Sequence, residues 1–147
     1  MHTECQNQSC VTLVELLVVV AIIGIIGAVS GLFLIKYLPE YHLRSAASTL
    51  SQDLRQAQIG AIKRLQPWSV IMNSATQSYR IEDPSGNVIK TVNLSSYGGN
   101  VRFTAVPASP VLFDVEGFAT TGNATMTNSR GSLVTIQILR TGAVRVQ

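Results

Sequence analysis

Residues 11 to 35, VTLVELLVVVAIIGIIGAVSGLFLI, are apolar almost without interruption, and no other stretch limits this chain so strongly. A run of that length covers the roughly 20 residues a helix needs to cross a bilayer's hydrocarbon core. One residue is out of keeping: Glu15, an acid near the start. A carboxylate at membrane depth costs roughly 2.5–3.5 kcal/mol on insertion scales, so an acid kept there points to a function. It needs a cationic partner, and no Lys or Arg precedes Lys36 to provide one. The partner is expected from another molecule.

The 147 residues suit one modest domain plus an anchor. Charged residues amount to 13% and the formal charge is +3, without any Lys/Arg run. Bulk charge therefore lends no support to nucleic-acid or anionic-lipid binding. Both cysteines, Cys5 and Cys10, precede the apolar run. The part that must fold has no thiol for a disulfide or a Cys-based metal site. A secretory signal peptide would show a basic start, a shorter apolar core and a small-residue cleavage site behind it. Here the first ten residues hold no Lys or Arg, and Lys36-Tyr37-Leu38-Pro39 follows the run. A lipoprotein would carry its acylated cysteine after an apolar segment, whereas Cys10 precedes one. A retained anchor fits better.

Inside the run, Ala21, Gly24, Ala28 and Gly31 fall along one helical stripe, and Gly27 with Gly31 forms a small-xxx-small pair. Small residues let helices approach closely in lipid. Pro39 predicts a kink or short break, because its ring removes a backbone donor and clashes with the preceding turn. Helix then resumes: Leu43, Ala46, Ala47, Leu50, Leu54, Ala57, Ala61 and Leu65 recur at three- and four-residue intervals. That is an amphipathic stripe awaiting a cover. Arg44, Ser48, Arg55 and Lys63 occupy other faces, and Pro67 ends the helix.

Strands are predicted over 68–72, 78–81, 88–94 and 101–105, short stretches rich in β-formers. Asp83-Pro84-Ser85-Gly86-Asn87 reads as a turn and Pro107-Ala108-Ser109-Pro110 as a second break. Residues 120–130 are polar with little pattern and read as a loop. Residues 133–139, then Thr141-Gly142, then 143–146 read as a terminal hairpin. The fold class is α+β: a long N-terminal helix, half membrane and half amphipathic, packed on a C-terminal antiparallel sheet.

No catalytic constellation stands out. The histidines are His2 and His42, the latter read as an exposed helix residue, and no acid pair sits on a recognisable motif. Asp83 and Asn87 lack the ligand spacing of a dedicated calcium loop. No cofactor, metal or small-molecule substrate is expected.

The opening Val11-Thr12-Leu13-Val14-Glu15, an apolar-Thr-Leu-apolar-Glu motif behind a short polar leader, resembles the class III signal of type IV pilins and type II secretion pseudopilins. The rest of the chain is similar to the GspH/FimT-like minor pseudopilins. The matching features are Leu43-Arg44-Ser45-Ala46-Ala47, Ala61-Ile62-Lys63-Arg64, Leu112-Phe113-Asp114-Val115-Glu116-Gly117 and Thr141-Gly142-Ala143-Val144-Arg145-Val146. The resemblance implies a pilin-like subunit in four parts: leader 1–10, membrane helix half 11–38, amphipathic half 39–66 and β-rich periplasmic head 67–147.

It also implies a mechanism. A prepilin peptidase cuts between Cys10 and Val11 and methylates the Val11 amine; Glu15 pairs with that amine on a neighbouring subunit. In low dielectric an amine and a carboxylate attract strongly, and an unpaired Glu is the costly alternative. Cys10 stands where the peptidase usually meets Gly, and Val11 where Phe is common. The leader has no basic residue, while Lys36 and Arg44 lie beyond the run. A cytoplasmic N-terminus in the inner membrane thus rests on the resemblance, without help from charge bias.

The implied partners are other pseudopilins or pilins, the peptidase and the inner membrane. The implied function is that of a non-enzymatic subunit of a type II secretion pseudopilus. The alternative is a FimT-like minor pilin that binds DNA during natural transformation through a Gly-Arg-x-Arg element. This chain has Gly142-Ala143-Val144-Arg145 there, leaving Arg140 and Arg145 as candidate phosphate contacts.

Overall fold

A computed structural model describes the chain from Thr12 to Gln147, apart from the side chains of residues 29–36. The helix α1 (Leu13–Arg64) is followed by β1 (Trp68–Asn73), β2 (Ser78–Glu82), β3 (Val88–Asn93), a short 3-10 turn, β4 (Arg102–Ala105), β5 (Val111–Phe113), β6 (Gly122–Thr127), β7 (Leu133–Ile138) and β8 (Val144–Val146). Two units meet between Lys36 and Tyr37.

In the first unit α1 carries exposed apolar side chains, Leu13, Leu16, Leu17, Val20 and Ile23 among them. Among the described residues no helix is long and apolar enough to cross a membrane. The apolar run of the sequence includes residues outside those described.

The second unit, from Tyr37 onward, is the head. Pro39 lies inside α1 and does not interrupt it, contrary to the expected break. A proline removes one backbone bond, and the residues after it are held by packing: Leu43, Ala46, Ala47, Leu50, Leu54, Ala57 and Ala61 are all buried. Each fully buried leucine contributes roughly 1.5–3 kcal/mol. His42, expected to be exposed, is half-buried, with Gly98 and Gly99 against its ring.

Leu65 departs from the expected stripe and is exposed. It stands just past the helix end at φ 52°, donating its N–H to Ile62 O (3.4 Å) while Gln66 N–H reaches back to Ala61 O (3.2 Å). That is a Schellman cap, with leucine where glycine is usual. Beyond it Trp68 folds back so that its ring covers Gly60, where an added Cβ would lie 2.8 Å from the indole. The Arg64 guanidinium stacks 5.3 Å from the ring centroid.

The strands are antiparallel throughout, as expected, but form two four-stranded sheets. Sheet A has the order β3-β2-β1-β5, and sheet B has β4-β6-β7-β8. The polar stretch read as a loop contains β6, an inner strand of sheet B. Its core residues are Ala124 and Met126, both fully buried, alternating with Asn123 and Thr125. Small and hydroxylated residues hide a period-two pattern that bulky apolar ones would have displayed, although threonine is itself a good strand former.

Four connections share one geometry, a five-residue turn with glycine at the fourth position. They are Asp83–Asn87, Asp114–Phe118, Asn128–Ser132 and Leu139–Ala143, with Gly86, Gly117, Gly131 and Gly142 at φ 81°, 87°, 79° and 75°. In the first three, the leading side chain's Oδ1 accepts the N–H groups of the third and fifth residues at 2.8–3.0 Å. An Asx turn followed by a left-handed glycine closes each. The Asp83 carboxylate also accepts from Asn87 Nδ2, which, first among several hydrogen bonds, holds its pKa below the usual carboxylate range. Those oxygens serve the turn.

Candidate functional site

At the start of α1, Thr12 is the N-cap: Glu15 N–H donates to Thr12 Oγ1 at 3.2 Å, and Leu16 N–H to Thr12 O at 3.2 Å. Thr12-x-x-Glu15 is the sequence form of a capping box, a signal that accounts for a threonine at this place in the motif. An acid in the first turn also suits the helix dipole. Glu15 is exposed, and among the described residues no cation pairs with it. Nearby, a Cβ added to Gly24 or Gly27 would meet nothing within 4 Å, so these positions leave room for a second helix. Gly31, Cys10 and Val11 lie outside the residues whose side chains are described.

In the head, Asp53 sits on the buried side of α1, three residues after Leu50 and four before Ala57. It is 3% exposed, which makes it the least expected member of the core. Its Oδ2 accepts the Tyr79 hydroxyl of β2 at 2.6 Å, and its Oδ1 meets Lys90 Nζ of β3 at 2.7 Å. Burial, followed by the hydrogen bond to Asp53, pushes the Tyr79 phenol far above its ordinary value. The pair ties the helix to sheet A. Sequence reasoning overlooked it, yet an acid in register with an apolar stripe was there to be read.

A second tie lies one turn further along. Gln58 Nε2 donates to Gly117 O at 2.8 Å, and Gly142 packs so closely that an added Cβ would overlap both Gln58 Nε2 and Gly117 O. Two of the stretches that carried the family resemblance, around Gly117 and Gly142, therefore meet at one helix side chain. Gly142→Ala forces a β-carbon into the left-handed region, roughly 1–2 kcal/mol, and displaces a hydrogen bond worth about 0.5–1.5 kcal/mol. Gly131 has the same φ sign but open space around it. We expect Gly142→Ala to cost clearly more than Gly131→Ala in urea unfolding of the chain in detergent; equal losses would refute the crowding.

Arg140 follows β7 in the terminal turn, with its carbonyl accepting Ala119 N–H at 2.9 Å, and Arg145 lies in β8 opposite Gln137. Both are exposed, and neither is in an ion pair among the described residues. Among those residues no group of three or more His, Cys, Asp or Glu could hold a metal.

A helix that opens on a capped acid among exposed apolar side chains, and ends as the spine of a two-sheet head, defines a pilin-like α+β subunit. The chain belongs to the GspH family of type II transport proteins, whose family model matches residues 46–142. A second model, the prokaryotic N-terminal methylation motif, matches residues 6–31. Among solved structures the chain is similar to the minor pseudopilin EpsH from the type 2 secretion system of Vibrio cholerae. One EpsH structure aligns with a TM-score of 0.59 at 13% identity, over 72% of this chain and 96% of that one. Another gives 0.57 at 12%, over 71% and 92%. Comparison with curated protein sequences gives no match. Fold and family are those of structural pseudopilins.

Proposed function

We propose that this minor pseudopilin is anchored in the bacterial inner membrane by the helix that begins near Val11, with the N-terminus cytoplasmic and the head periplasmic. A prepilin peptidase cuts the Cys10–Val11 bond and methylates the new amine. Glu15 pairs within the lipid with the Val11 amine of a neighbouring pseudopilin, setting the register between stacked helices. The subunit acts by assembly, without catalysis.

One observation carries this reading: a carboxylate in the first helical turn, surrounded by exposed apolar side chains, with no cation among the described residues to neutralise it. An isolated charge of that kind is too costly to keep in lipid without a mate. The matched methylation motif supports the processing step. The GspH match supports secretion over the alternative, DNA binding through Arg140 and Arg145. Mass spectrometry of the subunit from membranes of its own host is expected to find a chain beginning at methylated Val11. An intact, unmethylated leader would overturn the pairing.

A further inference from the structure

Each sheet of the head has two outer strands, and three of the four outer edges are protected. On β4, the Gln77 side chain accepts Phe103 N–H through Oε1 and donates through Nε2 to Phe103 O at 3.3 Å, filling both edge positions. The chain after β5 folds back on it, with Thr120 N–H bonded to Leu112 O at 3.0 Å. On β3, Lys90 turns inward to Asp53, and the pairing with β2 carries a bulge at Ile81/Glu82. Inward charges and bulges are devices that keep a free edge from adding strands.

The edge at β8 has none of these. Thr135 and Gln147 exchange both backbone hydrogen bonds at 2.9 Å, and the register pairs Gln137 with Arg145 and Ile136 with Val146. In an antiparallel ladder such bonded pairs alternate with unbonded ones. The N–H and C=O groups of Val144 and Val146 therefore point away from β7, and among the described residues nothing bonds to them. Val146, 49% exposed, lines a groove between β8 and α1 of about 660 Å³, together with Leu43, Ala47 and Arg55 on the helix and Leu133 on the sheet. Val144, 7% exposed, lines a second hollow of about 410 Å³, and Arg55 lines both. Of the groove's charges, Arg44 is neutralised by Glu40 at 2.7 Å, while Arg55 has no ion pair among the described residues.

We propose that β8 and its groove receive an extended segment of a partner protein, added to sheet B as a fifth strand and carrying an acidic side chain that meets Arg55. Backbone donors and acceptors repeating every second residue fit a strand and no other conformation. The apolar floor takes one face of that strand, and the unneutralised guanidinium selects its charge. The site belongs to the head alone and is independent of the pairing at Glu15.

The test uses the full chain in detergent micelles and a fluorescent peptide, acetyl-Glu-Val-Thr-Val-Glu-Val-Thr-amide, with a twin in which Lys replaces Glu. The Glu peptide is expected to bind and to slow hydrogen exchange at the Val144 and Val146 amides. Arg55→Glu, on an exposed helix position, is expected to weaken it by about tenfold or more and to favour the Lys twin. Val146→Pro removes one outward N–H without touching the β7 ladder, and is expected to abolish binding. Equal binding of both peptides, binding without protection of those two amides, or no binding at millimolar peptide would each overturn the proposal. So would protection that appears without peptide as protein concentration rises, since a second copy would then be the occupant.

Discussion

The chain carrying Glu15→Ala is expected to enter the membrane as well as the parent and to be almost absent from filaments. Removing a carboxylate relieves roughly 2.5–3.5 kcal/mol of insertion cost, so anchoring does not suffer. On the pairing proposed above, what is lost is the mate of a buried amine on the next subunit, and orphaning such a charge costs about 3–5 kcal/mol, a hundredfold or more in incorporation. The measurement is the ratio of subunit in sheared filaments to subunit in membranes. Thr12→Ala is the companion variant, since it removes the helix cap at a cost of about 1 kcal/mol while keeping the charge. If Glu15→Ala entered filaments normally, or if the two variants behaved alike, the role of the charge would be refuted.

In the head the largest effect is expected at Asp53. Truncation to alanine strands the Lys90 ammonium and the Tyr79 hydroxyl together. Breaking a buried pair typically costs about 3–5 kcal/mol. Lys90 keeps 39% of its side-chain surface exposed, so screening puts the loss near the lower bound, about 3 kcal/mol. Urea midpoints give the value, and Asp53→Asn combined with Lys90→Met should cost less than the sum of the single changes.

The same cluster sets an alkaline limit. Because the folded phenol of Tyr79 is shifted upward, its contribution is intact below about pH 10, where the unfolded tyrosine begins to ionise, and is lost as pH rises further. The loss runs at about 1.4 kcal/mol per pH unit. Tyr79→Phe should flatten that limb, and an unchanged limb would remove Tyr79 as its cause.

Much of this was legible from residue spacing. The stripe from Leu43 to Ala61 is the helix face of the core, and the strands before Pro107 lie within a residue or two of their predicted places. The remainder was obscured for physical reasons. In β6, small and hydroxylated side chains gave no apolar alternation, so its burial is visible only once β4 and β7 flank it. The split into two sheets depends on which edges meet, and that is decided by groups such as the Gln77 amide, whose target lies 26 residues away. Asp53 and the repeated Asx-x-x-Gly turns were readable in principle, since both are local patterns. At Glu15 one residue carried two messages, an acid within an apolar run and the last letter of a capping box, and the first masked the second.

Asp53 joins α1 to sheet A, and Gln58, about one turn on, joins it to the loop that links the sheets. Both rivets sit on the same short length of helix. Sliding of that length of helix against the sheets is therefore opposed by two neighbouring polar ties as well as by the buried stripe from Leu43 to Ala61. A head fastened this way is expected to yield first where its fasteners are cut.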